Sequence, residues 1–339
     1  MDSRKYRALV VNGPNQAVLE QRALPTPAIG QILVRPIAVG ICATDLEILA
    51  GTIDPAYVRY PIVIGHEWSA VVVEDPSGEL KPGTPLVVEG ILPCGSCAHC
   101  QSGATNLCDI YDELGFTRDG GAAEIAVIPS QLAHPLSKGV DLFTAALVEP
   151  AAVAFRGLQR VNPSPGMNAV IIGDGTIAML SALLLQLWTP SKVVMIGRNK
   201  DQAELAAKAG VSEFTTDDSG VGSGFDLAIE ASGSVEATSA ALGCLRRGGT
   251  LLLLGLPPHG QPSKVPIDDV VNGDISIVGS FSYTASAWRD IVSLLNSAKF
   301  NPDFLITHRF SLSQWEAALA ALANKSGPRG KVLLSLTDT

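Results

Sequence analysis

The stretch Asn168-Ala-Val-Ile-Ile-Gly-Asp-Gly-Thr-Ile-Ala178 combines the two short patterns that decide the fold. Its first part, Asn168–Gly173, is an apolar run that ends in glycine, and such a run predicts a buried strand. Its second part opens Thr176–Trp188, an apolar segment long enough for a helix. A strand that passes through a glycine-rich turn directly into a helix is the first half of a βαβ unit.

The same alternation continues after this turn. Further strands and helices are predicted in turn at Lys192–Gly197, Asp201–Gly210, Phe225–Glu230, Ser234–Arg246, Thr250–Gly255 and Ile275–Phe281. Strands that alternate with helices of about ten residues predict a parallel sheet with helices on its faces. We therefore expect a doubly wound α/β domain over residues 151–284.

The chain before Pro150 has a different character. Short β-rich runs separated by proline and glycine occur at Ala8–Val11, Gln31–Val39, Ala70–Glu74 and Pro85–Val88. Runs of this kind predict a mainly β domain. The last part of the chain carries two more helical patterns and ends in an apolar strand at Lys331–Leu336.

The composition excludes several classes of protein. Of the 339 residues, 47% are hydrophobic and 17% are charged, which is typical of a globular domain and argues against disorder. The net charge of −9 argues against a nucleic-acid partner. No apolar run approaches the ~20 residues that a membrane span requires. The opening Met1–Tyr6 is charged and lacks the apolar stretch of a signal peptide, so we expect a cytoplasmic protein.

Four cysteines lie close together as Cys94-x-x-Cys97-x-x-Cys100-x7-Cys108, a segment that we call the zinc lobe. Thiolates at this spacing suit tetrahedral zinc, with bonds of about 2.3 Å to each sulfur. The alternative, a disulfide framework, is typical of short secreted chains. Four sulfurs leave no open coordination position, so this zinc is predicted to be structural and the chemistry must lie elsewhere.

The turn after the first strand of the α/β domain matches the dinucleotide pattern G-x-G-x-x-G/A. In that pattern the glycines give a tight turn, and backbone N–H groups at the helix start meet a pyrophosphate. The predicted cofactor-binding residues of this turn are Gly173, Gly175, Thr176, Ile177 and Ala178. Asp174 would repel a phosphate if it pointed inward, and we expect it to face away.

The residues after the second strand bear on which dinucleotide binds. An NAD site usually places an acidic residue there to accept a hydrogen bond from the ribose 2′-hydroxyl. This chain has Gly197-Arg198-Asn199-Lys200 instead. Arg198 and Lys200 could bind a 2′-phosphate, which predicts NADP(H), with NAD(H) possible. The alternative is a solvated pair of cations in an enzyme that takes NAD through other contacts.

Three separated motifs offer ligands for an open metal site. Cys42 lies in Gly-Ile-Cys-Ala-Thr-Asp45, His66 lies in Gly-His-Glu67, and Glu149 precedes Pro150. Each is ambiguous alone, because a lone cysteine is usually core, a lone histidine is usually satisfied, and a lone glutamate can be a cap. Because all three occur in one chain with the zinc lobe and the glycine-rich turn, together they indicate an open metal site.

In this order, and over its whole length, the chain resembles the zinc-dependent medium-chain dehydrogenases/reductases of the alcohol dehydrogenase superfamily. The resemblance implies a Rossmann domain and a GroES-like, mainly β catalytic domain formed by residues 1–150 and 285–339. It also implies a homodimer or homotetramer, because relatives join two sheets across the edge that corresponds to Ile275–Tyr283. An unpaired sheet edge is otherwise prone to unwanted pairing.

The resemblance also implies a catalytic zinc, so that each subunit would bind two zinc ions. Cys42 and His66 would be ligands, and Glu149 in place of a third cysteine is similar to the polyol, threonine and sugar dehydrogenase branch. Glu67 would be a further ligand that exchanges with Glu149 or a water. Asp45 would orient His66 by fixing its tautomer.

The proton and hydride then need acceptors. Zinc lowers the pKa of a bound hydroxyl, and the nicotinamide C4 takes the hydride. Thr44 is predicted to accept the hydroxyl proton. Relatives often have a histidine three residues later, where this chain has Glu47. Glu47 either replaces that relay or is a solvated surface group, with the proton leaving by the cofactor ribose and water.

Glu113, in Glu113-Leu-Gly115, resembles a residue of sugar and cyclitol dehydrogenases that bonds a substrate hydroxyl. This favours a polyol, sugar or cyclitol as the small-molecule substrate, giving a ketone or lactone. The alternative is that Glu113 braces the zinc lobe, in which case an amino-alcohol such as threonine or a simple alcohol is open. A zinc-free quinone or enoyl reductase and a non-catalytic NADP(H)-binding module are the alternatives of a different class.

Overall fold

The computed structural model of the protein describes residues 5–257, 260–324 and 326–337. The first four residues of the Met1–Tyr6 segment therefore lie outside the description. The chain divides into two compact units. The first comprises Met1–Glu149, Thr284–Asn324 and Lys331–Thr339, and the second comprises Pro150–Tyr283 and Lys325–Gly330. The described part contains no helix that is both long enough and apolar enough to cross a bilayer.

The strands, in chain order, are β1 Lys5–Val11, β2 Ala17–Ala23, β3 Gln31–Ile41, β4 Ile62–Val63, β5 Glu67–Glu74, β6 Pro85–Val88, β7 Ala126–Pro129, β8 Ala133–Pro135, β9 Asn168–Ile172, β10 Lys192–Ile196, β11 Glu213–Thr215, β12 Phe225–Glu230, β13 Leu245–Leu253, β14 Ser276–Gly279, β15 Ile306–Ser311 and β16 Lys331–Ser335. The α-helices are α1 Ala43–Ala50, α2 Ala98–Gln101, α3 Leu142–Ala145, α4 Val148–Val161, α5 Thr176–Leu185, α6 Ala203–Lys208, α7 Ala237–Gly243, α8 Ile267–Gly273, α9 Ala285–Asn296 and α10 Trp315–Ala323. Single 3₁₀ turns occur at Thr105–Leu107, Ser130–Leu132, Gln186–Trp188, Lys200–Gln202, Asp303–Leu305 and Leu312–Gln314.

The first unit is built on two sheets. A three-stranded sheet has the order β2-β1-β4, and a larger sheet has the order β15-β16-β3-β5-β6-β8, with β7 also paired to β3. The strand from the C-terminal part, β16, lies antiparallel to β3, which in turn lies antiparallel to β5. In this register Gly40 of β3 is opposite Glu67 on one side and Leu333 on the other. This register places β16, from the C-terminal part of the chain, and β3, from the N-terminal part, side by side near the start of β5.

The second unit is a six-stranded parallel sheet of order β11-β10-β9-β12-β13-β14. Numbered within the unit, this is the 3-2-1-4-5-6 order of the doubly wound dinucleotide fold. The predicted α/β Rossmann class is therefore confirmed. The order reverses beside β9, and in such sheets ligands bind at the carboxyl ends of the strands on either side of the reversal.

The predicted boundary between α7 and β13 in the second unit is wrong. The helix predicted to run to Arg246 ends at Gly243, and the strand predicted from Thr250 begins at Leu245. The pairing of β12 with β13 shifts register after Phe225, and Gly248 in β13 has a φ of 73°. A glycine in this conformation bulges the strand, so the extended backbone starts earlier than the apolar pattern indicates.

Candidate active site and metal centres

The N-terminus of α1 positions the first candidate ligand, Cys42. Cys42 is the cap residue of this helix: its Sγ accepts a hydrogen bond from the backbone N–H of Thr44 at 3.2 Å. The carboxylate of Asp45 accepts a hydrogen bond from the backbone N–H of Cys42 at 2.9 Å. The thiolate is the form of cysteine that binds metals.

His66 faces this sulfur from just before the start of β5. Its Nε2 lies 3.2 Å from Cys42 Sγ, and only 5% of the residue is exposed. Its other nitrogen, Nδ1, lies 3.6 Å from Asp45 Oδ1, and among the described residues neither atom has a hydrogen-bond partner. Burial lowers the pKa of His66, but the nearby Cys42 and Asp45 outweigh it, so the pKa is raised well above its ordinary value. The residues thus provide a buried site that attracts positive charge.

Glu67 is the next residue, and it forms a buried ion pair that the sequence did not indicate. Its carboxylate contacts the ammonium of Lys331, and both side chains are 3% exposed. The missing side chain of Gly40 makes room for this pair, because a Cβ there would overlap Glu67 Oε2 and lie 2.8 Å from Lys331 Cε. Burial lowers the pKa of Lys331, but Glu67 and Cys42 reverse the shift and raise it. Lys331 is therefore held as a cation inside the unit.

Cys42, His66 and Glu67 form a group that fits a metal ion. One ligand atom from each lies within 4.8 Å of the others. Sulfur, imidazole nitrogen and carboxylate oxygen are the donors that zinc accepts in sites with an open position. Glu149 is buried but does not belong to this group. Burial, followed by the charge of Glu67, raises the pKa of Glu149 to about 8.

The four cysteines of the predicted lobe converge as well. Their sulfurs all lie within 4.8 Å of one another, with Cys94 Sγ and Cys100 Sγ 3.9 Å apart, and none is in a disulfide. Bonds of about 2.3 Å in a tetrahedron place sulfurs roughly 3.8 Å apart. Backbone N–H groups donate to three of them: Cys97 to Cys94, Cys100 to Cys97, and Ile110 to Cys108. These bonds satisfy thiolates, so the loop fits a structural zinc.

A polar group and aromatic rings lie beside His66. Glu113 is 6% exposed and accepts a hydrogen bond from the Tyr111 hydroxyl at 2.5 Å. Burial raises the pKa of Glu113, partly offset by the Tyr111 bond and by His66. The ring centroid of Phe116 is 4.9 Å from that of His66, and Tyr57 packs edge-on against Tyr111 at 4.9 Å. No sequence motif marks Tyr111, Phe116 and Tyr57, because isolated aromatic residues follow no spacing pattern.

The two predicted proton-transfer residues differ in their surroundings. Thr44 is partly buried in the first turn of α1, whereas Glu47 is exposed on the same helix. The backbone N–H of Thr44 donates to Cys42 Sγ at 3.2 Å, so this residue lies beside the candidate ligand group. Exposure of Glu47 is what the solvated-surface alternative predicts.

In the second unit, the glycine-rich turn fits a dinucleotide. Gly173 has a φ of 122°, and a Cβ there would lie 2.9 Å from the backbone of Ala231. Gly175 is the cap residue of α5 and has no atom within 4 Å of a built Cβ, so the helix start is open. Such an open start offers N–H groups and the positive end of the helix dipole to a phosphate. Thr176 and Ile177 are half-buried in the first turn of α5, and Ala178 is fully buried.

A cavity of about 420 Å³ lies at the carboxyl ends of β9 and β10. Its lining includes Ile172, Ile196, Asp218, Ser219 and Cys244. An apolar wall with a few polar groups suits the adenosine half of a dinucleotide.

The loop after β10 contacts the glycine-rich turn through Asp174. Arg198 and Lys200 are exposed. Asp174 turns its side chain towards the end of β10, where its Oδ2 accepts hydrogen bonds from the backbone N–H groups of Arg198 at 2.7 Å and Asn199 at 2.9 Å. The carboxylate from the first turn therefore lies against the end of the second strand.

Comparison with known proteins gives matches over both units. The family model described as an alcohol dehydrogenase GroES-like domain matches residues 28–138, and the model described as a zinc-binding dehydrogenase matches residues 175–297.

Relatives cover almost the whole chain. A sorbitol dehydrogenase of Halalkalibacterium halodurans is 30% identical over 96% of this chain and 98% of its own. An L-threonine 3-dehydrogenase of Streptomyces coelicolor is 32% identical over 92% and 94%. A solved structure from Sinorhizobium meliloti, provisionally assigned as a zinc-binding dehydrogenase and bound to NADP, superposes with a TM-score of 0.91. It is 26% identical, and the match covers 98% of this chain and 99% of that one.

Proposed function

Because the chain belongs to the zinc-binding dehydrogenases of the medium-chain dehydrogenase/reductase superfamily, we propose that it oxidises a secondary alcohol with a nicotinamide dinucleotide. A polyol, sugar or cyclitol is the favoured substrate, and the product is the ketone or lactone. The observation that carries this proposal is the group of half-buried Cys42 and buried His66 and Glu67, together with the buried carboxyl of Glu113, which interacts electrostatically with His66. It supplies an open metal site next to a group that can bind a further hydroxyl.

Each residue around the metal group has a separate role in this reaction. Cys42 and His66 would hold the metal, and Glu67 would supply a further oxygen ligand. A zinc ion held there would lower the pKa of the alcohol hydroxyl, as zinc does for water. Thr44 accepts the proton that the hydroxyl loses and passes its own hydroxyl proton on towards solvent, so that Thr44 stays neutral. Asp45 lies 3.6 Å from His66 Nδ1 and keeps that ring oriented.

Glu149 takes part as an exchanging ligand in this scheme. It lies outside the 4.8 Å group, and its pKa of about 8 favours the protonated form at neutral pH while no metal is bound. A positive metal ion nearby favours the carboxylate, because an opposite charge stabilises the ionised form. Glu149 would then bind the ion only in part of the catalytic cycle, when Glu67 is held by Lys331.

Glu113 supports a polyhydroxylated substrate. A buried carboxylate that already accepts from Tyr111 has further acceptor capacity for a substrate hydroxyl. Its side chain is paired with Tyr111 rather than with the four cysteines, which favours substrate binding over bracing of the lobe. Binding of this kind discriminates strongly against substrates that lack the hydroxyl.

The sugar and polyol assignment has one competitor, an amino-alcohol. The identity to the L-threonine 3-dehydrogenase, 32%, is as high as that to the sorbitol dehydrogenase. A carboxylate at Glu113 can accept from an ammonium group as well as from a hydroxyl. A substrate panel must therefore include 2-amino-3-hydroxy acids.

The cofactor proposal is a nicotinamide dinucleotide held by the second unit, with the pyrophosphate at the start of α5. The preference for NADP(H) rests on Arg198 and Lys200 and stays a prediction. The homodimer or homotetramer and the cytoplasmic location stay predictions too.

The first experiment is the metal content of the purified protein and of Cys42→Ser. We expect two zinc ions per subunit in the parent and one in the variant, with alcohol oxidation lost only in the variant. Cys244→Ser is the matched control for metal content, because Cys244 belongs to neither metal group and its loss should leave two zinc ions per subunit.

Equal zinc content in the parent and Cys42→Ser would contradict the catalytic metal site. A panel of polyols, sugars, cyclitols, amino-alcohols and simple aliphatic alcohols, run with each dinucleotide, then tests the substrate class. Equal turnover of simple alcohols and polyols would contradict the role given to Glu113.

A further inference from the structure

The second strand of the nucleotide-binding unit ends without an acidic residue. β10 ends at Ile196 and is followed by Gly197, at the place where an NAD site usually carries an acid for the ribose. The space beside Gly197 is nevertheless occupied by the Asp174 side chain and by the ring of Phe214, whose Cζ would lie 2.7 Å from a Cβ on Gly197. A Cβ built on Gly197 would lie 2.7 Å from Asp174 Oδ2 and 2.8 Å from Asp174 Cβ. A side chain at 197 and the present position of Asp174 therefore exclude each other.

The carboxylate of Asp174 also occupies the hydrogen-bond donors of this loop. Both of its bonds, from the N–H groups of Arg198 and Asn199, end on Oδ2. Successive backbone N–H groups of this kind are the donors that bind phosphate groups elsewhere. Here they are taken, and a 2′-phosphate would meet a negative charge. A ribose 2′-hydroxyl, by contrast, is a donor that a carboxylate accepts.

The position of Asp174 is fixed by its neighbours. Gln202, which is 2% exposed, donates from Nε2 to the backbone oxygen of Asp174 at 2.6 Å and to that of Arg329 at 2.8 Å. The backbone N–H of Arg329 donates in return to Gln202 Oε1 at 2.7 Å. The turn, the start of α6 and the Arg329 segment are thus tied together within the unit, and Asp174 is not a mobile surface group.

We infer that Asp174 supplies, from the glycine-rich turn, the acidic group that such sites ordinarily carry at the end of the second strand, and that it favours NAD(H) against NADP(H). The inference rests on the proposed use of a nicotinamide dinucleotide. Asp174 and Arg198 then have opposite effects on NADP(H) binding. The guanidinium of Arg198 attracts a 2′-phosphate, whereas the carboxylate of Asp174 repels it. The balance between these two residues sets the cofactor preference.

The test is the affinity of the purified protein for NADH and NADPH, measured by calorimetry and by fluorescence of the bound nicotinamide. Asp174→Asn keeps the shape and one acceptor oxygen but removes the charge. We expect the ratio of Kd for NADPH to Kd for NADH to fall by about tenfold or more, which corresponds to about 1.4 kcal/mol. Arg198→Ala should move the ratio in the opposite direction.

Glu204→Gln is the matched control, because it removes one negative charge from the same unit at an exposed residue that is paired with Lys208. The control should leave the ratio unchanged. An unchanged ratio in Asp174→Asn, with both dinucleotides still bound, would overturn the inference and leave the proposed function standing. If the unmodified protein binds neither NADH nor NADPH, both the inference and the proposed function are overturned. If Asp174→Asn fails to fold, Asp174→Ser carries the same expectation.

Discussion

Lys331 is a charged side chain in a position that ordinarily admits only apolar ones. It begins a strand whose five residues are all buried, and its ammonium is neutralised by Glu67. Removing one partner of such a pair leaves an uncompensated buried charge, which costs far more than the pair itself contributes. Lys331 also competes with a metal for the oxygens of Glu67.

We predict that Lys331→Met lowers the free energy of unfolding by about 3–5 kcal/mol, measured by urea denaturation. The double variant Lys331→Met/Glu67→Gln should recover much of this loss, because no unpaired charge remains. Equal instability of the single and double variants would contradict the ion pair as the cause.

Glu113 allows a second prediction for a single residue. Glu113→Gln keeps the side-chain shape but replaces a charged acceptor, and hydrogen bonds to charged groups contribute about 1.5–3 kcal/mol. We expect kcat/KM for a polyol to fall by roughly 10- to 100-fold while that for a simple aliphatic alcohol stays within about threefold. Equal losses for both substrates, with zinc released from the lobe, would show that Glu113 braces the lobe instead.

At the scale of elements, Asp226 connects three strands of the parallel sheet. From β12 it accepts hydrogen bonds from the backbone N–H of Asn168 in β9 at 2.8 Å and from Arg246 of β13 at 2.6 Å. Burial raises the pKa of Asp226, but the Asn168 bond and Arg246 outweigh it and hold the pKa below its ordinary value. The ionised carboxylate therefore stabilises the folded sheet.

We predict that Asp226→Asn lowers the free energy of unfolding by about 1 kcal/mol at pH 7, because the residue is only partly buried. A group with a lowered folded-state pKa contributes stability above its unfolded pKa, near 4, and loses it as the pH falls through the folded value. The difference between parent and variant should therefore shrink below about pH 4 in urea titrations. A difference that is constant with pH would contradict the assignment.

Local sequence patterns were sufficient to predict some of the elements. The glycine-rich turn, its strand and its helix were predicted because residues within one short stretch decide them. The four-cysteine loop was found because its ligands share fifteen residues. The early start of β13 was missed, because the bulge at Gly248 depends on pairing with β12 rather than on the apolar pattern.

For the whole molecule, the open question is assembly. β14 lies at one edge of the parallel sheet, and it pairs only with β13 among the described strands. Ile277 in β14 and Phe281 just after it are 37% and 46% exposed. An apolar sheet edge is prone to pairing with a second copy.

We predict that the protein forms a dimer or tetramer through this edge and that Ile277→Lys makes it monomeric, measured by light scattering after size-exclusion chromatography. A charge on the strand edge opposes edge-to-edge pairing. The control is Leu187→Lys, which changes an apolar residue that is 46% exposed on the 3₁₀ turn after α5. Retention of the dimer or tetramer in Ile277→Lys, or its loss in the control alone, would place the interface elsewhere.

The sequence by itself determined the α/β class of the second unit, the zinc-lobe cysteines and the motifs around Cys42, His66 and Glu149. It could do so because periodicity and close spacing are properties of neighbouring residues. Only the tertiary structure placed Lys331 on Glu67, left Glu149 outside the Cys42–His66–Glu67 group, and put Asp174 where a side chain at Gly197 would lie. The partner of a buried charge depends on which distant strands pair and in what register, and no local pattern records that.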